Sequence, residues 1–184
     1  SLPTRAVYAR EEVCMGCGLC EVFCALAHST SQDLIKAFKR ERPRPLARLH
    51  VEKGEGLFLP VQCRHCAEPP CVYACLTGAL QRDAATGIVH LDPGRCIGCW
   101  TCIMVCPYGA LGRDLEAHAV VKCDLCPGRD VPACVAICPN EALLYRGDRG
   151  GQPYLVRSSA VGTSAVPGAR PTIARSRYLI IGNS

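Results

Sequence analysis

The sequence predicts a small α+β protein in which a cysteine-bearing unit recurs four times. Three observations predict it. The 184 residues include sixteen cysteines, and these fall into four groups of four. The pattern C-(P)-x-x-A-L follows three of the groups, as CLTGAL at 75–80, CPYGAL at 106–111 and CPNEAL at 138–143. With only three Phe and one Trp, the chain also has too few large rings to fill its own centre, so something other than side chains is buried there.

Residues 1–13 carry no apolar stretch and no twin arginine, so no export signal is expected. The first group is Cys14, Cys17, Cys20 and Cys24, spaced x2-x2-x3. The basic stretch KAFKRERPRPLAR, 36–48, reads as a solvated loop, the alternative being a charge facing the buried group or an acidic partner. The second group is Cys63, Cys66, Cys71 and Cys75, spaced x2-x4-x3. After it, ALQRDAATGIVHLD reads as two short strands with Thr86 and Gly87 at the bend. The third group, Cys96, Cys99, Cys102 and Cys106, is spaced x2-x2-x3, and GALGRDLEAHAVVKC repeats the two-strand shape after it. The fourth group is Cys123, Cys126, Cys134 and Cys138, spaced x2-x7-x3. In each unit a short helix carrying the fourth cysteine is expected to end just before a strand begins at A-L. Residues 147–184 are rich in Gly, Pro, Ser and Arg and read as an extended basic tail, ending in RYLIIGNS as a possible strand.

Repeats of this kind govern the reading. Sixteen thiols without an export signal argue for metal ligation over disulfides. C-x2-C pairs also hold structural zinc, and a structural zinc scaffold is the alternative from another class. A third cysteine two residues later is poorly explained by a tetrahedral ion. C-x2-C-x2-C instead places three thiolates on one tight loop, and the run C-x2-C-x2-C-x3-C-P of two-cluster ferredoxins sends its fourth thiolate to the other cluster. CIGCWTCIMVCP, 96–107, matches that run. Four groups then account for four [4Fe–4S] clusters with no cysteine left over.

CRHCAEPPCVYAC at 63–75 and KCDLCPGRDVPACVAICP at 122–139 resemble the second and fourth motifs of four-cluster ferredoxin-like electron-transfer subunits. Those subunits serve molybdenum and tungsten pterin enzymes (aldehyde oxidoreductase, formate dehydrogenase, dimethyl sulfoxide reductase) and some carbon monoxide dehydrogenases and hydrogenases. The resemblance covers residues 10–145. It implies two ferredoxin-like halves of βαββαβ type with nested motifs. The outer half would come from 1–60 and 118–146, and the inner half from 61–117, within a domain spanning 1–146. It also implies the ligand sets. Cluster A would be held by Cys14, Cys17, Cys20 and Cys138, and cluster B by Cys123, Cys126, Cys134 and Cys24. Cluster C would be held by Cys63, Cys66, Cys71 and Cys106, and cluster D by Cys96, Cys99, Cys102 and Cys75. Cys24 and Cys75 lack the following proline, a departure expected to alter only the local turn.

Among the remaining residues, Trp100 is expected to pack over a cluster, a role in electron flow being the alternative, and His65 reads as an ordinary turn residue, the alternative being to tune a cluster's potential by hydrogen bonding. His28, His50, His90 and His118 have no ligand spacing. The formal charge of +5 lies wholly beyond Asp148, in Arg149, Arg157, Arg170, Arg175 and Arg177. Four thiolates on an oxidised cluster leave about −2, so a filled protein is near −3.

Nothing in the chain resembles a catalytic triad, a phosphate-cradling loop or an open metal site, so no catalysis by the chain alone is expected. The expected role is an electron-transfer subunit. It would link a tungsten or molybdenum pterin catalytic subunit, of aldehyde oxidoreductase type, to an FAD-containing NAD(P)H oxidoreductase subunit. Service to a carbon monoxide dehydrogenase or hydrogenase is the alternative. RYLIIGNS is similar to the opening of flavin-dependent NAD(P)H oxidoreductases, but the helix, later glycines and acidic residue of a dinucleotide site are absent from it. It reads either as a strand for a partner's sheet edge or as a remnant of a fused flavoprotein. No run of about 18 apolar residues is present, so no membrane anchor is expected and the location should be cytoplasmic. No nucleic-acid partner is expected, and self-association into a longer wire is conceivable from two exposed ends.

Overall fold

A computed structural model describes residues 5–149, 152–157 and 179–180. The first strand, β1 (Ala6–Ala9), leads through a 3-10 turn at Glu11–Val13 to α1 (Leu19–Ala27). Next come α2 (Leu34–Lys39) and a hairpin of β2 (Leu49–Lys53) and β3 (Phe58–Gln62). Two further units follow the same plan. In one, α3 (Pro70–Tyr73) precedes the hairpin β4 (Leu80–Arg82) and β5 (Val89–Leu91). In the other, α4 (Thr101–Met104) precedes β6 (Leu111–Asp114) and β7 (Ala119–Lys122). The chain then forms α5 (Ala133–Ile137), β8 (Leu143–Arg149), β9 (Gln152–Val156) and β10 (Leu179–Ile180).

The two expected hairpins are present and share their chemistry. Asp83 Oδ1 accepts the N–H groups of Ala85 and Thr86, and Asp114 Oδ1 accepts those of Glu116 and Ala117. These are Asx turns, in which a short carboxylate satisfies the amides of the bend. Four residues beyond each Asp the backbone is left-handed, at Gly87 (φ 72°) and His118 (φ 49°).

The first strand meets a late one. β1 pairs antiparallel with β8, Val7 opposite Tyr145, and the sheet runs in the order β1-β8-β9-β10. Gln62 Nε2 donates to the Val7 carbonyl at 2.9 Å and ties β3 to this sheet. The first core lies beneath it and includes Cys20, Cys24, Cys123, Cys134, Val135 and Val156. The second holds Cys71, Leu80, Val89, Cys102, Leu111 and Val120 between the other two hairpins. Tyr145 is the sole aromatic among the core residues described, and cysteine fills the space that rings usually take.

Four sequence readings need correction. The tail assigned from residue 147 contributes structure: β8 continues to Arg149, and Val156 on β9 is 0 % exposed in the first core. The division of the halves at 117/118 falls inside the β6–β7 hairpin, and Val120 on β7 packs in the second core. The basic stretch 36–48 is not all loop. α2 forms because Asp33 caps it, accepting the Lys36 N–H at 2.9 Å, and because Ala37 is fully buried. Lastly, the fourth cysteine sits inside a helix only in α1. Cys75 and Cys106 lie two residues beyond α3 and α4, and Cys138 caps α5. Cys106 and Cys138 precede prolines, which push the preceding residue out of helical geometry. Cys24 has no such proline, and α1 runs on to Ala27. Of the RYLIIGNS ending, Leu179–Ile180 pairs with the chain's own β9; its other residues lie outside those described.

Candidate metal-cluster sites

In every group the first two cysteines stand on a loop, and the third begins or follows closely the start of a helix. The residue two beyond the first cysteine is left-handed in all four loops: Gly16 (φ 66°), His65 (φ 47°), Gly98 (φ 65°) and Leu125 (φ 62°). Alternating right- and left-handed backbone turns successive N–H groups toward one centre, an arrangement suited to an anion. His65 and Leu125 adopt this geometry against the ~1–2 kcal/mol cost it carries for residues with a Cβ. The repeated loop shape therefore outweighs residue preference.

The thiols gather in quartets that cross between groups. Cys14, Cys17, Cys20 and Cys138 line one cavity. Cys134 lies within electrostatic reach of Cys123, Cys126 and Cys24. Cys71 is in reach of Cys63, Cys106 and Cys66, and Cys102 in reach of Cys99, Cys75 and Cys96. Contacts also link the quartets. Cys134 feels Cys20, and Cys123 feels Cys63. Cys71 and Cys102 share the second core. At the two extremes Cys17 and Cys99 are exposed, while nine of the other cysteines are buried.

Burial pushes these thiols up: Cys20 and Cys24 to about 12, Cys71 to about 11, and Cys123 and Cys134 further still. Alone they would be neutral, and a coordinated cation is what strips such protons. The donor set is all thiol, without the open position of a catalytic metal, and it fits a fully ligated iron–sulfur cluster. Hydrogen bonds favour the thiolate at particular positions. Arg48 N–H reaches Cys24 Sγ at 3.3 Å, Leu80 N–H reaches Cys75 Sγ at 3.5 Å and Ala142 N–H reaches Cys138 Sγ at 3.2 Å. Leu80 and Ala142 belong to the repeated A-L, which gives that pattern a purpose. Burial raises the Cys75 thiol, but the Leu80 and Thr77 hydrogen bonds outweigh it and leave it below the usual range. At Cys99 the Thr101 backbone and hydroxyl lower the thiol.

A polar layer missed by sequence surrounds one quartet. Asp124 Oδ1 accepts from His28 Nε2 at 3.0 Å and from the Cys126 N–H at 3.1 Å, and Oδ2 accepts from Arg48 Nη1 at 2.5 Å. Burial raises the Asp124 carboxyl, yet His28 and Arg48 overcome it and hold it down near about 2. His28 Nδ1 lies 2.7 Å from the Cys24 carbonyl, so this layer touches both Cys24 and Cys126. Asp124 directly follows a cysteine, the only trace of this layer in the sequence.

His65 is no ordinary turn residue. It is 0 % exposed, its Nδ1 accepts the Val89 N–H at 3.0 Å, and its Nε2 is buried with no partner among the described residues. Burial first, and then the charge of Lys122, hold its imidazole neutral by pulling it down to about 3. Trp100 caps the start of α4 in a left-handed conformation, with the Arg113 guanidinium 5.6 Å from its ring centre.

Residues 55–149 match the model of a 4Fe–4S dicluster domain. An iron–sulfur protein of Rhodospirillum rubrum is 39% identical over 153 residues, covering 74% of this chain and 79% of that protein. The electron transport protein HydN of Escherichia coli strain K12 is 39% identical over 156 residues, covering 76% of this chain and 86% of HydN. UacF of the same strain, described as an oxidoreductase, is 36% identical over 183 residues, covering 97% of this chain but 27% of UacF. No helix among the described residues is long and apolar enough to cross a membrane.

Proposed function

The chain belongs to the 4Fe–4S dicluster family, and from that premise we propose that it holds four [4Fe–4S] clusters in line and relays electrons through an oxidoreductase complex. When bound, each cluster takes up and releases one electron. The quartets would serve as ligands: Cys14, Cys17, Cys20 and Cys138 at one end, then Cys24, Cys123, Cys126 and Cys134. Next would come Cys63, Cys66, Cys71 and Cys106, and last Cys75, Cys96, Cys99 and Cys102. The observation that carries this reading is the crossing of groups, with each helix-borne thiol facing a cysteine from a distant motif. The linear order rests on the contacts between successive quartets.

The protein's own work is to insulate and to present. No cysteine of the two central quartets is exposed, although Cys66 and Cys106 are only partly buried, whereas the terminal quartets reach the surface at Cys17 and Cys99. Exposed apolar residues flank those openings: Met15 and Leu19 near Cys17, Ile97 and Leu76 near Cys99. Each opening is a docking face for a redox partner.

The finer reading is that one partner is a tungsten or molybdenum pterin catalytic subunit and the other an FAD-containing NAD(P)H oxidoreductase. It draws on the likeness of the second and fourth motifs to subunits of such enzymes, and on the flavoprotein-like RYLIIGNS. The near-complete alignment with the much longer UacF favours a second arrangement, in which this unit is one segment of a larger oxidoreductase. Anaerobic co-purification through a tag on this chain, with analysis of metal, flavin and subunits, tests these readings. Tungsten or molybdenum together with FAD supports the first. Nickel without pterin moves the chain to a hydrogenase or carbon monoxide dehydrogenase, and zinc without sulfide in this chain overturns iron–sulfur function.

A further inference from the structure

Lys122 stands at the end of β7, beside Cys123, and is 3 % exposed. Its Nζ donates to the Val89 carbonyl at 2.5 Å and to the Cys123 carbonyl at 2.6 Å. Among the described residues no carboxylate lies within ion-pairing distance of it. The nearby Asp124 is taken by His28 and Arg48. The other three lysines, Lys36, Lys39 and Lys53, are exposed.

A buried ammonium bonded only to neutral carbonyls is costly, because its desolvation is not offset by an opposite charge. The fold nevertheless builds a network around it. Val89 gives its N–H to His65 Nδ1 and its carbonyl to Lys122. His65 sits between Cys63 and Cys66, and Lys122 bonds the backbone of Cys123. The network thus joins the loop of one central quartet to the loop of the other. The charge on Lys122 lowers the thiols of both Cys71 and Cys123, which places it within reach of both quartets.

We propose that Lys122 is the counter-charge of the two central clusters, stabilising the electron that each gains on reduction. This rests on the reading that those quartets hold [4Fe–4S] clusters. Reduction adds one negative charge to a cluster, and a fixed cation in a low-dielectric interior favours that state over the oxidised one. Lys122 would raise the potentials of the central pair and leave the terminal pair, near Cys17 and Cys99, almost unaffected. The buried Nε2 of His65 belongs to the same device. Since Nδ1 accepts the Val89 N–H, Nε2 carries the proton; it has no acceptor among the described residues, and a cluster held by the neighbouring cysteines would supply one.

The test uses the full chain purified anaerobically, with wild type, Lys122→Gln and Lys122→Arg compared. Iron and sulfide are counted first, about sixteen of each per chain for four cubanes. A wild-type chain without them sinks the cluster reading itself, whatever Lys122 does. Reduction is then followed by electron paramagnetic resonance against ambient potential. Lys122→Gln keeps N–H donors but lacks charge. It should shift two of the four clusters toward the oxidised state at least tenfold at a given potential, about 59 mV each. Lys122→Arg should restore them. Loss of two clusters in the Gln variant, with all four retained in the Arg variant, also supports a counter-charge. Unchanged potentials in Lys122→Gln, a uniform shift of all four clusters, or equal loss of clusters in both variants would overturn it.

Discussion

Gly98 shows how tightly a single position can be held. It has φ 65°, and a Cβ added there would stand 2.6 Å from the His118 carbonyl oxygen, which belongs to backbone and cannot swing away. Gly109 has a similar φ of 60° with open space around it. Gly98→Ala should therefore lose iron from the Cys75–Cys96–Cys99–Cys102 quartet, read as about a quarter less iron and sulfide per chain against full wild-type occupancy. Gly109→Ala should cost only the left-handed penalty, about 1 kcal/mol in chemical denaturation, with full iron content. Equal behaviour of the two variants would mean that the contact with His118 is unimportant. Asp83 allows a test by pH. The Thr86 and Ala85 amides hold its carboxyl below the usual range, so the folded hairpin binds a proton less readily than the unfolded chain. Its contribution is present above the ordinary Asp pKa and is lost as pH falls through the lowered value. The protection of the Ala85 and Thr86 amides from exchange, relative to their intrinsic rates, should fall in that acid window, and in Asp83→Ala it should be low at every pH.

Among the elements, β9 bears the clearest prediction. Val156 is wholly buried on a sheet that joins β1 to β8, β9 and β10. Val156→Ala should cost about 2 kcal/mol on unfolding, and it should loosen the quartets of the first core before those of the second. Loss of iron spread evenly over all four quartets would argue against two separate cores. Elements that recur were legible in the sequence. The cysteine spacing and the A-L pattern located α3, α4, α5 and the hairpins β4–β5 and β6–β7, because each copy corroborates the others. Elements without such a pattern were not. The β2–β3 hairpin lacks the A-L that opens β4 and β6, α2 runs into a basic stretch, and β9 lay in a run whose composition suggested a linker. The sixteen cysteines were plain as candidates, but the His28–Asp124–Arg48 layer was not, since His28 and Asp124 lie 96 residues apart and no local pattern joins them. His65 could have been singled out by alignment of the repeats. It stands where Gly16 and Gly98 stand, and a side chain at a glycine position implies a use.

For the whole molecule, thiols supply much of both cores and aromatic rings very little. Metal removal should accordingly unfold it. Treatment with a chelator and an oxidant should abolish far-ultraviolet dichroism along with visible absorbance, in a single transition for each core. Retention of native dichroism in the iron-free chain would show that side-chain packing alone suffices. The meeting of β1 with β8 has a further consequence, for the order of biogenesis. As the chain leaves the ribosome, the segments carrying Cys63 through Cys106 are complete while β1 still has no partner. The Cys14–Cys24 loop must wait for Cys123–Cys138, and β1 must wait for β8. Long-range closures of this kind are the slow ones. On the proposed ligand sets, maturation would proceed from the middle of the polypeptide outward, and the iron delivered last would be that nearest the N-terminus. A nascent chain stalled before Cys123 would carry the two clusters proposed for Cys63 through Cys106 and leave the earliest-made thiols bare to oxidation.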